Sequence, residues 1–86
     1  MIKLVKFYTK TCAPCKNQDI VLSMIKPQYP KVEFVNIDIG ENQELANECS
    51  VRSVPTLAFF KGGKLQKTLV SLQDVGTIRN ELNKLN

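Results

Sequence analysis

The chain has 86 residues, 43% of them apolar, with 12 Lys+Arg against 8 Asp+Glu, three cysteines and no His or Trp, which reads as a single small domain over residues 1–86. A chain of this length buries only about 60% of its unfolded surface, so it can hold one core but not a separate catalytic domain and lid. With no histidine there is no Ser/His or Cys/His dyad, no His-rich zinc site and no imidazole general base, and chemistry falls to thiols, carboxylates and lysines.

In chain order, Ile2 to Tyr8 is short and β-prone and reads as a strand. A helix is predicted from Ala13 to about Lys26, with Ile20, Val21, Met24 and Ile25 at helical spacing, Pro14 in the first turn, and Pro27 and Pro30 as its stop. Val32 to Asp38 is a second strand and Asn42 to Glu48 a short helix, so the first two strands should be parallel. Thr56 to Phe60 and Lys64 to Val70, joined by Gly62-Gly63, read as an antiparallel hairpin. Val75, Ile78, Leu82 and Leu85 form the apolar stripe of a last helix capped by Asp74. The order β-α-β-α-β-β-α implies an α/β fold, a four-stranded mixed sheet with helices on both faces.

The formal charge of +4 comes from lysines scattered between Lys3 and Lys84 with no run among them, which fits a solvated surface and no nucleic-acid partner. No apolar stretch approaches the roughly 20 residues of a membrane span. Met1 leads straight into the first strand without an apolar leader, and an odd cysteine count does not fit a fully paired secreted framework. The reading is therefore cytoplasmic, where a close cysteine pair signals redox or metal chemistry.

That pair is Cys12-Ala13-Pro14-Cys15, where the first strand passes into the first helix. An i, i+3 spacing at a helix start brings the two thiols within disulfide reach. Cys12, at the terminus, meets unpaired N–H groups and the positive end of the dipole, so it is expected to be the attacking thiolate and Cys15 the resolving thiol. Lys10 and Lys16 add positive charge nearby. Two inert helix cysteines are the bland alternative, but packing gives no reason for thiols on both sides of Ala-Pro. Zinc is the other, and it wants four ligands where only Cys49 is left over. Cys49 itself reads as a buried small hydrophobe or a regulatory thiol.

Thr11-Cys12-Ala13-Pro14-Cys15-Lys16, followed by Val51-Arg52-Ser53-Val54-Pro55-Thr56-Leu57 and Phe60-Lys61-Gly62-Gly63, resembles the thioredoxin superfamily over nearly the whole chain. The resemblance implies a minimal thioredoxin fold. It also implies a Cys12–Cys15 pair that reduces protein disulfides through a mixed disulfide, with that redox-active pair in place of any cofactor or metal. Pro55 matches the family's cis-proline, which would present the Val54 backbone beside the thiols. With Thr11, Ala13, Pro14, Val70 and Ser71, these residues form the implied substrate surface.

The departures from the family matter. The chain starts at what resembles the second strand of thioredoxin, Thr11 stands for the usual Trp, and Ser71 for the usual Gly. Lys6 replaces the family's buried Asp and Phe34 its Lys partner, so the carboxylate relay to the resolving thiol is missing. Lys6 is expected either to snorkel to solvent or to lie near Cys15 and stabilise its thiolate.

Three functions compete. The leading one is a monomeric thioredoxin-like reductase of client proteins, ribonucleotide reductase among them, itself reduced by thioredoxin reductase. The second is a glutaredoxin-like enzyme reduced by glutathione. Pro14 directly before Cys15, and Leu69-Val70-Ser71 where glutaredoxins carry Gly-Gly-x-Asp, favour the first. The third is a non-catalytic binding subunit, which the retention of both cysteines and Pro55 opposes.

Overall fold

A computed structural model describes all 86 residues. Its elements are β1 (Ile2–Tyr8), α1 (Ala13–Ile25), β2 (Glu33–Asp38), α2 (Gln43–Glu48), β3 (Thr56–Lys61), β4 (Lys64–Val70) and α3 (Val75–Leu85). They form one four-stranded sheet in the order β2-β1-β3-β4. β1 runs parallel to β2 and antiparallel to β3, and β3 runs antiparallel to β4, so the expected α/β architecture is the one observed.

β1 is buried at five of its seven positions because it is covered on both faces. Strand alternation sends Ile2 and Leu4 to one face and Val5 and Phe7 to the other. On the first face they join Leu57 and Phe59 of β3, Leu22 and Ile25 of α1, and Ile78 and Leu82 of α3 in the main core. On the second, Val5, Phe7 and Ala58 meet Ala46 and Cys49 in a smaller one. α3 follows the predicted stripe, and the Asp74 carboxylate caps it by accepting the Thr77 N–H at 2.8 Å.

α1 departs from expectation. Its buried positions are Cys15, Gln18, Leu22 and Ile25, while Ile20 and Met24 are more than half exposed. The stripe runs at i, i+3, i+7 and i+10, and its second member is polar, which hid it from an apolar count. The helix ends at Ile25, before Pro27 as expected, and Lys26–Gln28 follows as a 3₁₀ turn. A proline in a first turn forfeits no needed N–H.

Gly62 (φ 59°) and Gly63 (φ 80°) both occupy the left-handed region that the two-residue β3–β4 turn requires. The Gly62 N–H also donates to the Met1 carbonyl at 3.1 Å, which ties the start of β1 to that turn. At the opposite end of the sheet, Phe7 pairs with Thr56 and Thr56 with Val70. That register delivers the segments leaving β1 and β4 and the segment entering β3 to one edge of the molecule.

Candidate active site

Cys12 is the N-cap of α1, with extended backbone at φ −87° and ψ 105°. Its Sγ accepts the Cys15 backbone N–H at 3.1 Å, so the sulfur fills the capping role that a Ser or Asp oxygen usually plays. No acidic residue in the first turn of the 13-residue helix opposes negative charge there. Cys12 and Cys15 form a disulfide with Cα atoms 5.3 Å apart. Cys12 is partly exposed, whereas Cys15 is only 3% exposed. One cysteine is open to solvent, and the other is almost wholly covered.

Beneath the pair, Lys6, Tyr8, Asp19 and Asn36 line with Cys12 and Cys15 a shallow cavity of about 270 Å³. Larger hollows elsewhere, the two biggest about 640 Å³ along residues 40–48 and about 490 Å³ over Val35, Ile37 and Phe60, carry no cysteine. Lys6 is 2% exposed, so its ammonium does not snorkel to water. It is held by the Asp19 carboxylate, with the Tyr8 ring centroid 4.9 Å from Nζ. The sequence reading overlooked Asp19; its signal was an acid four residues after Cys15, on the same face of the helix. Lys10 also lines the cavity, but its ammonium lies 3.5 Å from Glu41 at the surface. Lys16 lines it without an ion-pair partner.

The remaining residues of the implied substrate surface lie at the end of the sheet. The Val54–Pro55 bond is cis, and Pro55 is buried. The Pro55 carbonyl accepts the Ser71 N–H at 2.9 Å, which joins the segment before β3 to the one after β4. Ser71 sits at φ 73°, a conformation that favours glycine. Neither the N–H nor the C=O of Val54 is used by any backbone hydrogen bond outside the elements. Thr11, Ala13 and Pro14 lie exposed beside Cys12, and Val70 at the end of β4 and Leu72 just after it are exposed apolar side chains.

Gln18, fully buried, closes this arrangement. Its Nε2 donates to the Gln73 carbonyl at 3.0 Å and its Oε1 accepts the Gln73 N–H at 2.8 Å. Both ends of the amide are satisfied, and the loop after β4 is pinned to α1 one turn beyond Cys15. The sequence reading missed this residue too.

Cys49 lies in the second core, 6% exposed. Burial, and secondarily the Glu48 carboxylate, push its thiol above the ordinary cysteine range. No group of three or more His, Cys, Asp or Glu side chains stands close enough to hold a metal ion.

The family model for thioredoxin matches residues 1–84. Thioredoxin from Rickettsia felis is 32% identical over 82 residues, which is 94% of this chain and 78% of that one. A mutant thioredoxin from Halobacterium salinarum superposes with a TM-score of 0.90 at 32% identity, over 98% of this chain and 74% of the other. A structure addressing the thiol resolving mechanism in yeast mitochondrial 1-Cys peroxiredoxin via glutathione/thioredoxin systems contains a chain matching at TM-score 0.89 and 27% identity, over 98% and 78%.

Proposed function

Because the chain belongs to the thioredoxin family and is a thiol-disulfide oxidoreductase working through its own cysteine pair without a cofactor, we propose that it acts as a reductant of protein disulfides. Cys12 is the nucleophile and Cys15 the resolving thiol. The observation that carries this is the asymmetry of the pair: Cys12 caps α1 where the helix end favours a thiolate, and Cys15 is buried one turn behind it.

In the reduced protein the Cys12 thiolate attacks one sulfur of a client disulfide. A Cys12–client bond forms, and the second client sulfur leaves as a thiolate. Cys15, deprotonated, then attacks Cys12 Sγ, closing the Cys12–Cys15 bond and expelling the first client sulfur. Two electrons pass from the dithiol to the client. The reach of 5.3 Å between Cα atoms lets the pair close without large backbone movement.

Thr11, Ala13, Pro14, Val54, Pro55, Val70 and Ser71 receive the client peptide. The unpaired backbone of Val54 offers an extended segment a place to add as a strand beside the thiols. Lys16 and Lys10 favour the thiolate weakly, because exposed charges act through water and Lys10 is matched by Glu41. The protein acts as a cytoplasmic monomer on several clients, with ribonucleotide reductase among them. No helix is long and apolar enough to cross a membrane.

The test is reduction of insulin disulfides with dithiothreitol, which should show catalytic turnover; none would leave a binding module. Its physiological donor is read out by reducing the oxidised protein in parallel with thioredoxin reductase plus NADPH and with glutathione. We expect the reductase to be the faster donor. Fast reduction by glutathione alone would make the chain glutaredoxin-like.

A further inference from the structure

Lys6 shares its face of β1 with the core residues Ile2 and Leu4, and a charge there is costly unless matched. The match is the only acidic residue of α1, Asp19. The side chain of Lys6 is 3% exposed and that of Asp19 51%, so the pair runs from the interior to solvent. Both line the cavity that Cys12 and Cys15 also line, which at about 270 Å³ has room for several waters and offers them the polar groups of Lys6, Asp19 and Asn36 as partners.

We propose that the Lys6–Asp19 pair is the proton-handling unit of the resolving step. Asp19 accepts the Cys15 thiol proton through cavity water, and Lys6 is the positioning residue that holds the carboxylate on the cavity wall. This rests on the reading of Cys15 as the resolving thiol. The Cys15 S–H proton goes to Asp19. The Cys15 electron pair makes the bond to Cys12 Sγ, and the Cys12–client bond breaks with its pair on the client sulfur, which takes up a proton from solvent. Asp19 returns its proton to water through its exposed edge. The other titratable groups facing the cavity are Tyr8 of β1, Lys10 of the connecting segment and Lys16 of α1; β2 contributes only Asn36. With its charge matched by Asp19, Lys6 is not left to lower Cys15 by itself, and this separates the pair from a lone-lysine account.

The reduced full-length chain reacted with dithiobis(nitrobenzoate) under stopped flow should release two coloured thiolates, the first by Cys12 attack and the second by Cys15 resolution. Asp19→Asn should slow the second phase about tenfold or more, up to the roughly 10²–10⁴-fold of a positioned general base, and flatten its pH dependence in acid. The first phase should change far less. Asp19→Glu should restore part of the second phase, and Lys6→Met should slow it less than Asp19→Asn does. Because Asp19→Asn leaves the Lys6 ammonium buried without its partner, the double variant Lys6→Met/Asp19→Asn is the folding control, and it too should resolve slowly. A second phase in the double variant at the wild-type rate and pH dependence overturns the proposal. So does a faster second phase in Asp19→Asn, which would assign the effect to the freed lysine. A wild-type protein with no second phase overturns the role of Cys15, and this proposal with it.

Discussion

Cys15 and Cys49 are nearly equally buried, at 3% and 6% exposure, on opposite faces of one sheet, and they have opposite chemical prospects. Cys15 stands in the first turn of a helix, joined through its N–H to Cys12 Sγ and bordered by a cavity that Lys6, Asp19 and Asn36 also line. Cys49 ends a six-residue helix among Val5, Phe7, Ala46 and Ala58, where burial and the Glu48 charge both oppose a thiolate. Accessibility therefore does not sort the two thiols. What sorts them is whether the surroundings can stabilise a charge and pass a proton.

The largest test of that contrast is direct. Cys12→Ser should abolish insulin reduction, and Cys15→Ser should leave the client trapped on Cys12, visible as a mass shift without reductant. Cys49→Ala should keep turnover near the wild-type rate; loss of turnover would break the contrast. Next, Phe7→Ala removes a fully buried side chain from the core around Cys49 and should cost about 3–5 kcal/mol in denaturant unfolding. It should also speed iodoacetamide labelling of Cys49, as a thiol shielded only by packing requires.

Smaller effects appear on titration. The folded-state pKa of Cys49 is raised, so the unfolded chain loses this proton first. The resulting stabilisation is fully present below the ordinary value of 9.0 and is lost as pH rises through the folded value. Melting temperatures above about pH 9 should therefore fall more steeply in the wild type than in Cys49→Ala. Asp74 has the opposite sign: hydrogen bonds from Thr77 hold its carboxyl below the usual value of 3.8. Its stabilisation is present above that value and is lost as pH falls through the folded one. Asp74→Asn, which keeps a capping oxygen, should remove only this acid-side slope, the smallest effect of the set.

The strands were readable because their apolar runs are short and punctuated by glycine and proline; β1 and β4 have the predicted boundaries. The redox pair was readable because its chemistry is local, two thiols one turn apart. What stayed hidden depends on partners distant in sequence. Gln18 is buried because Gln73, 55 residues away, satisfies both ends of its amide. Lys6 is buried because Asp19 meets it across 13 residues. Polarity at such positions argues for exposure until the fold supplies a partner, and so the face of α1 was misplaced and the carboxylate beneath the thiols overlooked.

The hydrogen bond from Gly62 to Met1 sets a direction for the molecule. Met1 is 87% exposed at one end of the seven-residue strand β1, and Cys12 follows the other end, roughly 20 Å away at strand rise. A linker attached at the amino end would thus leave the disulfide facing outward, and a bead or electrode coated in this way should exchange electrons with dissolved proteins about as readily as the free chain.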